Sequence, residues 1–434
     1  MEAEQRGKLA GARGQGRRAA GATWALGLAA SCVVAGACTS SDGGKDHADA
    51  RGTRDGGADL KSARADAGGG VQRDARPPAD LGSDGPVLPA GWSAGRSMAS
   101  VRAQHTATLL SDGTILVAGG VGTGSDALAS AERYDPRTDT WQAAGTMTTG
   151  HVFHEAVRLL DGRVLIVGGC ANTWGNCTYV GAELFDPSQP AATAFTATGA
   201  MPKLRRSHRA TLLDNGEVLV TGGYDNLGSH LTINLYNPQT NSWRSPLGAL
   251  SVARHLATVT KLGDGRVLIG GGADGSKVHD TLEVYDPATG QATTLTAKLG
   301  HARFKHSATR LSDGRVLFVG GLCDVATDCF VPTSEIFDPA TGGVSSAGSP
   351  ASAVLNHQAT LLADGRVLVS GGHGGPWGDA VSLFTLGPPA GWTTGPDLVP
   401  GRVLHTATAI GSRVIVIGGE HHYEELATTA IYVP

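Results

Sequence analysis

The chain is poor in charge, in aromatic rings and in long apolar runs. Of its 434 residues only 17% are charged and 5% aromatic, and the net charge is −4. With no basic surplus, neither nucleic acid nor an anionic membrane surface is an expected partner. Glu and Lys are sparse after position 90, which argues against an α-helical domain. The apolar stretch Ala22 to Ala37 has sixteen residues, short for a membrane-spanning helix. There is no phosphate loop, nucleophile motif or run of metal ligands, so no cofactor and no metal are implied. What is abundant is glycine, at 64 residues. That balance suits an all-β chain of short strands joined by tight turns.

The N-terminus has the character of an address. Arg6, Lys8, Arg13, Arg17 and Arg18 precede the apolar stretch, which ends in Ala35-Gly36-Ala37-Cys38. A basic segment, an apolar core and small residues are the parts of an export signal. The end resembles the lipobox of bacterial lipoproteins, with Ala35 where Leu is usual. The resemblance implies cleavage before Cys38 and lipid attachment there. Cys32 is a second candidate, an ordinary secretory signal cut near Ala37 is the alternative, and Arg17-Arg18 hints at twin-arginine export. Residues 1–38 are therefore expected to be a signal segment. Residues 39–86 are rich in Asp, Arg, Ala and Gly, and no aromatic stands between Trp24 and Trp92. Such a segment cannot form a core and is expected to be a disordered tether, reaching roughly 35–45 Å as a coil. The predicted location is the cell envelope through a lipid anchor, or the medium if the protein is secreted.

From about Val87 to the end the chain repeats. Apolar runs close on Gly119-Gly120, Gly168-Gly169, Gly222-Gly223, Gly271-Gly272, Gly320-Gly321, Gly371-Gly372 and Gly418-Gly419, at intervals of 47 to 54 residues. A period near 50 is that of propeller blades. Within a unit, a strand such as His105 to Leu110 meets an Asp-Gly turn, Asp112-Gly113. A β-branched strand then runs to the glycine pair and a variable loop follows. A third strand ends in Tyr134-Asp135-Pro136, Phe185-Asp186-Pro187, Tyr285-Asp286-Pro287 or Phe337-Asp338-Pro339, and some fourth strands carry a Trp: Trp141, Trp243 and Trp392. Together these features resemble the kelch repeat, in the bacterial form with His-x-Ala-Thr and Asp-Gly-Arg-Val-Leu. The resemblance covers residues 87–434 and implies an all-β, seven-bladed kelch propeller.

The last repeat stops after its third strand, at Tyr432-Val433-Pro434. Trp92 stands 13 residues before His105, as Trp141 does before His154 and Trp392 before His405. Residues 87–95 are thus expected to pair with the strand near Thr428 to Val433 and close the ring. A closed ring leaves few open edges, and a monomer is expected.

Four cysteines lie outside the export segment. Cys170 with Cys177 and Cys323 with Cys329 each bracket one loop after a glycine pair. In an exported chain two local disulfides are the natural reading, each stiffening its own loop.

Alternating connections put the Asp-Gly and Asp-Pro turns on one face and the variable loops on the other. Variable loops on a rigid scaffold are where binding usually resides. These loops carry Trp174, Tyr224, His373, Trp377, His421, His422 and Tyr423. Three residues before the repeat His stand Arg102, Arg205, Arg303 and Arg402, with His151, Val252 and Val354 in repeats 2, 4 and 6. Directed into the channel mouth, these Arg form a ring suited to a carboxylate peptide or an acidic sugar. The competing and preferred reading pairs them with Glu132, Glu183, Glu283 and Glu335 or with carbonyls of neighbouring blades. The histidines His105, His154, His208, His255, His306, His357 and His405 recur in every repeat, which favours packing over chemistry.

The expected function is a binding or scaffolding module for a protein or glycan ligand. The alternative enters through the resemblance: kelch-type propellers include galactose oxidase-like copper-radical enzymes and sialic acid isomerising enzymes. The former need a Cys-linked Tyr, a second Tyr and two His. Here the cysteines are accounted for as pairs, Tyr134, Tyr236, Tyr285 and Tyr432 fall at repeat positions and Tyr179 beside a disulfide loop, so only Tyr224 and Tyr423 remain, with His421 and His422 beside the second.

Overall fold

A computed structural model describes residues 87–434 except 125, 173–176, 178, 247, 328, 353 and 375–377. Cys32, Cys38, the export and tether segments, Trp174 and Trp377 lie outside the described residues. The chain forms seven four-stranded antiparallel sheets, the blades of a propeller. Blade 1 is typical, with strands Thr106–Leu109, Ile115–Ala118, Ser130–Asp135 and Thr140–Thr146.

The second strands explain the apolar runs of the sequence. Ile115–Ala118 and its equivalents Val164–Val167, Val218–Thr221 and Val316–Val319 are buried at every residue. Both their faces are covered, because each blade packs on its neighbours. One apolar cluster joins Leu116 to Val164, Ile166 and Phe185 of the next blade. Another joins Ile415 and Ile417 of blade 7 to Ile115, Val117 and Tyr134 of blade 1.

Ring closure follows the split repeat. Gly91–Gly95 pairs antiparallel with Thr429–Val433, and Trp92 stands opposite Tyr432. The same aromatic pair across the third and fourth strands recurs as Tyr134–Trp141, Tyr236–Trp243 and Phe384–Trp392, with centroids 4.9–5.2 Å apart. Blade 2, which lacks the Trp, sets Phe195 against Phe185.

The glycine pair is required by contact between blades. Gly119 has φ +66°, and a Cβ there would come within 2.5 Å of the His151 carbonyl oxygen. The next amide, Gly120 N–H, donates to that carbonyl at 2.8 Å. The same link runs around the ring and closes it where Gly419 N–H donates to Arg102 O at 2.9 Å.

Five repeat histidines are hydrogen-bonded girders to the preceding blade, while His208 packs there with neither ring nitrogen bonded. His154 Nε2 bonds Thr106 Oγ1 of blade 1 at 3.0 Å, His306 bonds Thr258 of blade 4 at 3.0 Å, and His105 bonds Thr406 of blade 7 at 3.0 Å. Repeat 4 departs from the expected set. Ala257, not His255, packs on its second glycine, where His105 packs on Gly120. His255 lies two residues earlier, bridged to Ala273 as Ala103 is to Val121. The set is therefore six histidines. His255-Leu256-Ala257-Thr258 copies the His-x-Ala-Thr pattern, but His255 stands sixteen residues before its glycine pair against fourteen in repeats 1 to 3.

Candidate binding site at the loop face

The four arginines expected at the channel mouth lie inside the blades. Arg102, Arg205 and Arg303 are 0% exposed and Arg402 is 1% exposed. Arg102 Nη1 donates to the Gly119 carbonyl at 3.0 Å, and Nη2 reaches Glu132 Oε1 at 2.8 Å. Arg303 repeats this with Gly320 O at 2.9 Å and Glu335 at 2.7 Å. The guanidinium fork thus holds the end of the second strand to the third within its own blade, rather than reaching a neighbour. In blade 4 the clamp is Arg254, on Gly271 O and Glu283, not the Val252 expected from the misplaced His255. His151 takes the role in blade 2, with Gly168 O at 2.8 Å and Glu183 at 3.2 Å. Arg205 has only the neutral Asn234 as side-chain partner in the third strand, and burial lowers it to about 10.

The channel mouth belongs to a different set of residues. Just before each first strand, one residue bridges to the residue after the glycine pair: Ala103 to Val121, Val152 to Cys170, Arg206 to Tyr224, His255 to Ala273, Phe304 to Leu322, Leu355 to His373 and Val403 to Glu420. The following residue has positive φ in every blade: Gln104, Phe153, Ser207, Leu256, Lys305, Asn356 and Leu404, at 51° to 59°. These are uncommon angles for residues with a Cβ. Amide-to-carbonyl bonds tie them into a collar: Ser207 donates to Phe153, Leu256 to Ser207, Lys305 to Leu256, Asn356 to Lys305, Leu404 to Asn356 and Gln104 to Leu404. The positive φ recurs in every blade and six such bonds join neighbours, while the side chains differ.

Two sectors of the mouth are apolar. Ala103, Val121, Val152 and the buried Cys170–Cys177 bridge form one, and Ala273, Phe304, Leu322 and Leu355 form the other. Between them lies a polar, cationic sector. Arg206 Cζ lies over the Phe153 ring at 5.4 Å and over the Tyr224 ring at 5.3 Å. Tyr224 also packs on His255, centroids 5.6 Å apart. His255 Nδ1 bonds Ser229 Oγ at 2.8 Å. Burial, then the Arg206 and Lys305 charges, pushes His255 down to about 4, so at neutral pH His255 is uncharged. Beside this sector a shallow depression of about 320 Å³ is lined by Tyr179, Met201, Leu204 and Asp225. Leu227, at the tip of the adjoining hairpin, is 91% exposed.

The remaining sequence candidates fall on blades 6 and 7. His373 and Glu420 occupy the bridged position of those blades. His421 ends the first strand, Glu420–His421, of a two-stranded hairpin whose turn residues, His422 and Tyr423, have φ 53° and 66°. The His421 and His422 rings meet edge to face at 4.2 Å, and His421 Nδ1 contacts the Gly401 carbonyl. Cys323 and Cys329 are bonded, like Cys170 and Cys177, as expected. Sequence reasoning missed Arg206, Lys305 and the position of His255. The doublet Arg205-Arg206 was visible, but only the collar tells which of the two faces inward.

The donor set of a copper-radical centre does not fit this mouth. All four cysteines of the propeller are in disulfides, so none is free to link a tyrosine. Tyr224 and Tyr423 stand on blades 3 and 7, and among the described residues no three His, Cys, Asp or Glu side chains converge as metal ligands. A family model described as the KLHDC2/KLHL20/DRC7 Kelch-repeats domain matches residues 153–372, and the Kelch motif matches residues 102–148. The chain belongs to the kelch-repeat propellers. No curated protein matches it. Among solved structures it is similar to a fungal alcohol oxidase of the AA5 family in complex with copper. The two are 17% identical with a TM-score of 0.64, over 80% of this chain and 76% of that one. At that identity the likeness is one of fold.

Proposed function

We propose that the chain is an exported binding or scaffolding propeller, held in the cell envelope by a lipid on Cys38, which engages a protein or glycan ligand through its loop face. The observation that carries this reading is the Arg206, Tyr224 and Lys305 sector of the mouth. The collar repeats in all blades, yet only this sector sets a guanidinium over two aromatic rings without an ion-pair partner among the described residues. Stacking restrains the guanidinium while leaving its N–H edge for an acceptor, the geometry suited to a carboxylate. A ligand bearing carboxylates, either an acidic oligosaccharide or an acidic peptide, follows from that chemistry. The two loop disulfides suit an oxidising compartment. Among the described residues no helix is long and apolar enough to cross a membrane, so in this reading attachment rests on the N-terminal lipid.

Calorimetric titration of the purified propeller tests the reading. The panel is uronic-acid oligosaccharides, neutral oligosaccharides of equal length, and Glu-rich and Lys-rich peptides. Binding confined to acidic members, weakened by added salt, is expected. Binding of neutral sugars alone, or turnover of any sugar alcohol, would replace it with a neutral-glycan or enzymatic function.

A further inference from the structure

The seven blades differ at one buried pair. Blades 1, 4 and 5 set Glu132, Glu283 and Glu335 beside Arg102, Arg254 and Arg303, at 2.5–2.8 Å. Blade 2 sets Glu183 beside His151. Blade 6 carries neither charge, with Val354 in place of the cation and Ser382 at the register position of the glutamate. Blade 7 keeps the cation and loses the anion. Its third strand has Ala430 opposite Val416, where blade 1 has Glu132 opposite Val117.

Arg402 is therefore a buried cation without a counter-ion among the described residues. Its Nη1 donates to Gly418 O at 3.0 Å and Thr428 O at 3.2 Å, and Nε donates to Pro400 O at 3.3 Å. Among the described residues no carboxylate pairs with its Nη2, where Glu132, Glu283 and Glu335 pair with Nη2 in blades 1, 4 and 5. Thr428 Oγ1 is buried and has no partner. In blade 4 the equivalent atoms meet, Arg254 Nη2 donating to Thr281 Oγ1 at 3.0 Å and to Glu283 Oε1 at 2.5 Å. Ala430 is opposed by Ala94 of the closing strand, so two methyl groups border the place of the missing carboxylate. Burial with no offsetting anion lowers Arg402 to about 10. A buried cation bonded only to neutral carbonyls and a buried hydroxyl with no partner are costly, and an anion between them would reduce both costs.

We propose that blade 7 binds a small anion, chloride or a short carboxylate, between Arg402 Nη2 and Thr428 Oγ1, in the place that glutamate carboxylates occupy in blades 1, 4 and 5. The site lies in the blade that the N-terminal strand closes, so occupancy stabilises the closed ring.

The test is thermal melting of the full propeller, wild type and Ala430→Glu, at equal ionic strength in sodium chloride, sodium formate or the bulkier sodium methanesulfonate. The wild type is expected to melt several degrees higher in about 100 mM chloride or formate than in methanesulfonate. A response to chloride alone assigns a halide site, and a response to formate alone a carboxylate site. Ala430→Glu supplies its own carboxylate, so it should lose the difference between salts and exceed the wild type in methanesulfonate. Equal wild-type melting in the three salts, or an unchanged salt response in Ala430→Glu, overturns the proposal. Should that variant fail to fold, wild-type crystals grown in bromide and in formate decide. Density for either ion within about 3.5 Å of Nη2 supports the site, and density for neither overturns it.

Discussion

Trp92 packs on Tyr432 across the two ends of the propeller sequence, ring centroids 5.0 Å apart, while its Nε1 donates to Pro396 O at 2.8 Å. The pair joins the first described strand to the last and makes blade 7 whole. Trp92→Ala should cost about 2–3 kcal/mol, less than a fully buried aromatic because the ring is only half-buried. Deleting residues 87–95 leaves the Thr429–Val433 edge unpaired and should cause loss of the cooperative melt with aggregation. Deleting 39–80 should leave melting unchanged. Equal melting of the 87–95 deletion and the wild type would contradict ring closure.

Acid should unfold the ring. His105 and His208 are held down at about 3 and His357 at about 4, chiefly by burial, and His154, His306 and His405 fall well below the usual value. In the unfolded chain these groups titrate near 6.5. Below that pH the unfolded chain takes up protons that the folded ring refuses. Stability is thus present above about pH 6.5 and falls toward pH 4, by about 1.4 kcal/mol per pH unit for each histidine at full effect. Urea midpoints at pH 8, 7, 6 and 5 check this. A flat profile from 7 to 5 would contradict the girder role.

Restoring the seventh histidine should harm the fold. Blade 3 has Arg209 where blade 1 has Thr106, and Arg209 spans from Glu155 to the Ala257 carbonyl, at 2.5 and 2.8 Å. An imidazole at 257 would face a cation and find its space filled. Ala257→His is expected to lose about 1–3 kcal/mol by overpacking. A rise in melting temperature would show that the gap in repeat 4 is only sequence drift.

The two disulfides should reduce in order. Cys170 and Cys177 are buried in an apolar cluster, whereas Cys329 is exposed. Thiol trapping during dithiothreitol treatment should label Cys323 and Cys329 first. Each bridge closes a short loop, so its loss should lower stability by no more than about 2–3 kcal/mol. Simultaneous labelling of all four would contradict the difference in burial.

The architecture was legible because it is repetitive. Seven glycine pairs recur since each must meet a neighbour's carbonyl, and Trp92 kept its distance from His105 although its blade is split between the chain ends. The site was less legible. Arg205 and Arg206 are adjacent and chemically alike, yet one is sealed inside blade 3 and the other lies over two rings at the mouth. Which is which depends on the left-handed turn at Ser207, which no residue type announces. His255 misled because a shared Ala-Thr disguised a two-residue shift. Trp174 and Trp377 lie outside the described residues, so their place at the loop face still rests on sequence.

The central claim is that the buried arginines hold the blades while Arg206 reads the ligand. Titrating Arg206→Ala and Arg303→Ala with the acidic oligosaccharide or peptide that the wild type binds tests it most directly. The account predicts that Arg206→Ala weakens binding at least about tenfold with melting unchanged, whereas Arg303→Ala melts lower and keeps the wild-type affinity. Unchanged affinity in Arg206→Ala, or lost affinity in a folded Arg303→Ala, would contradict it.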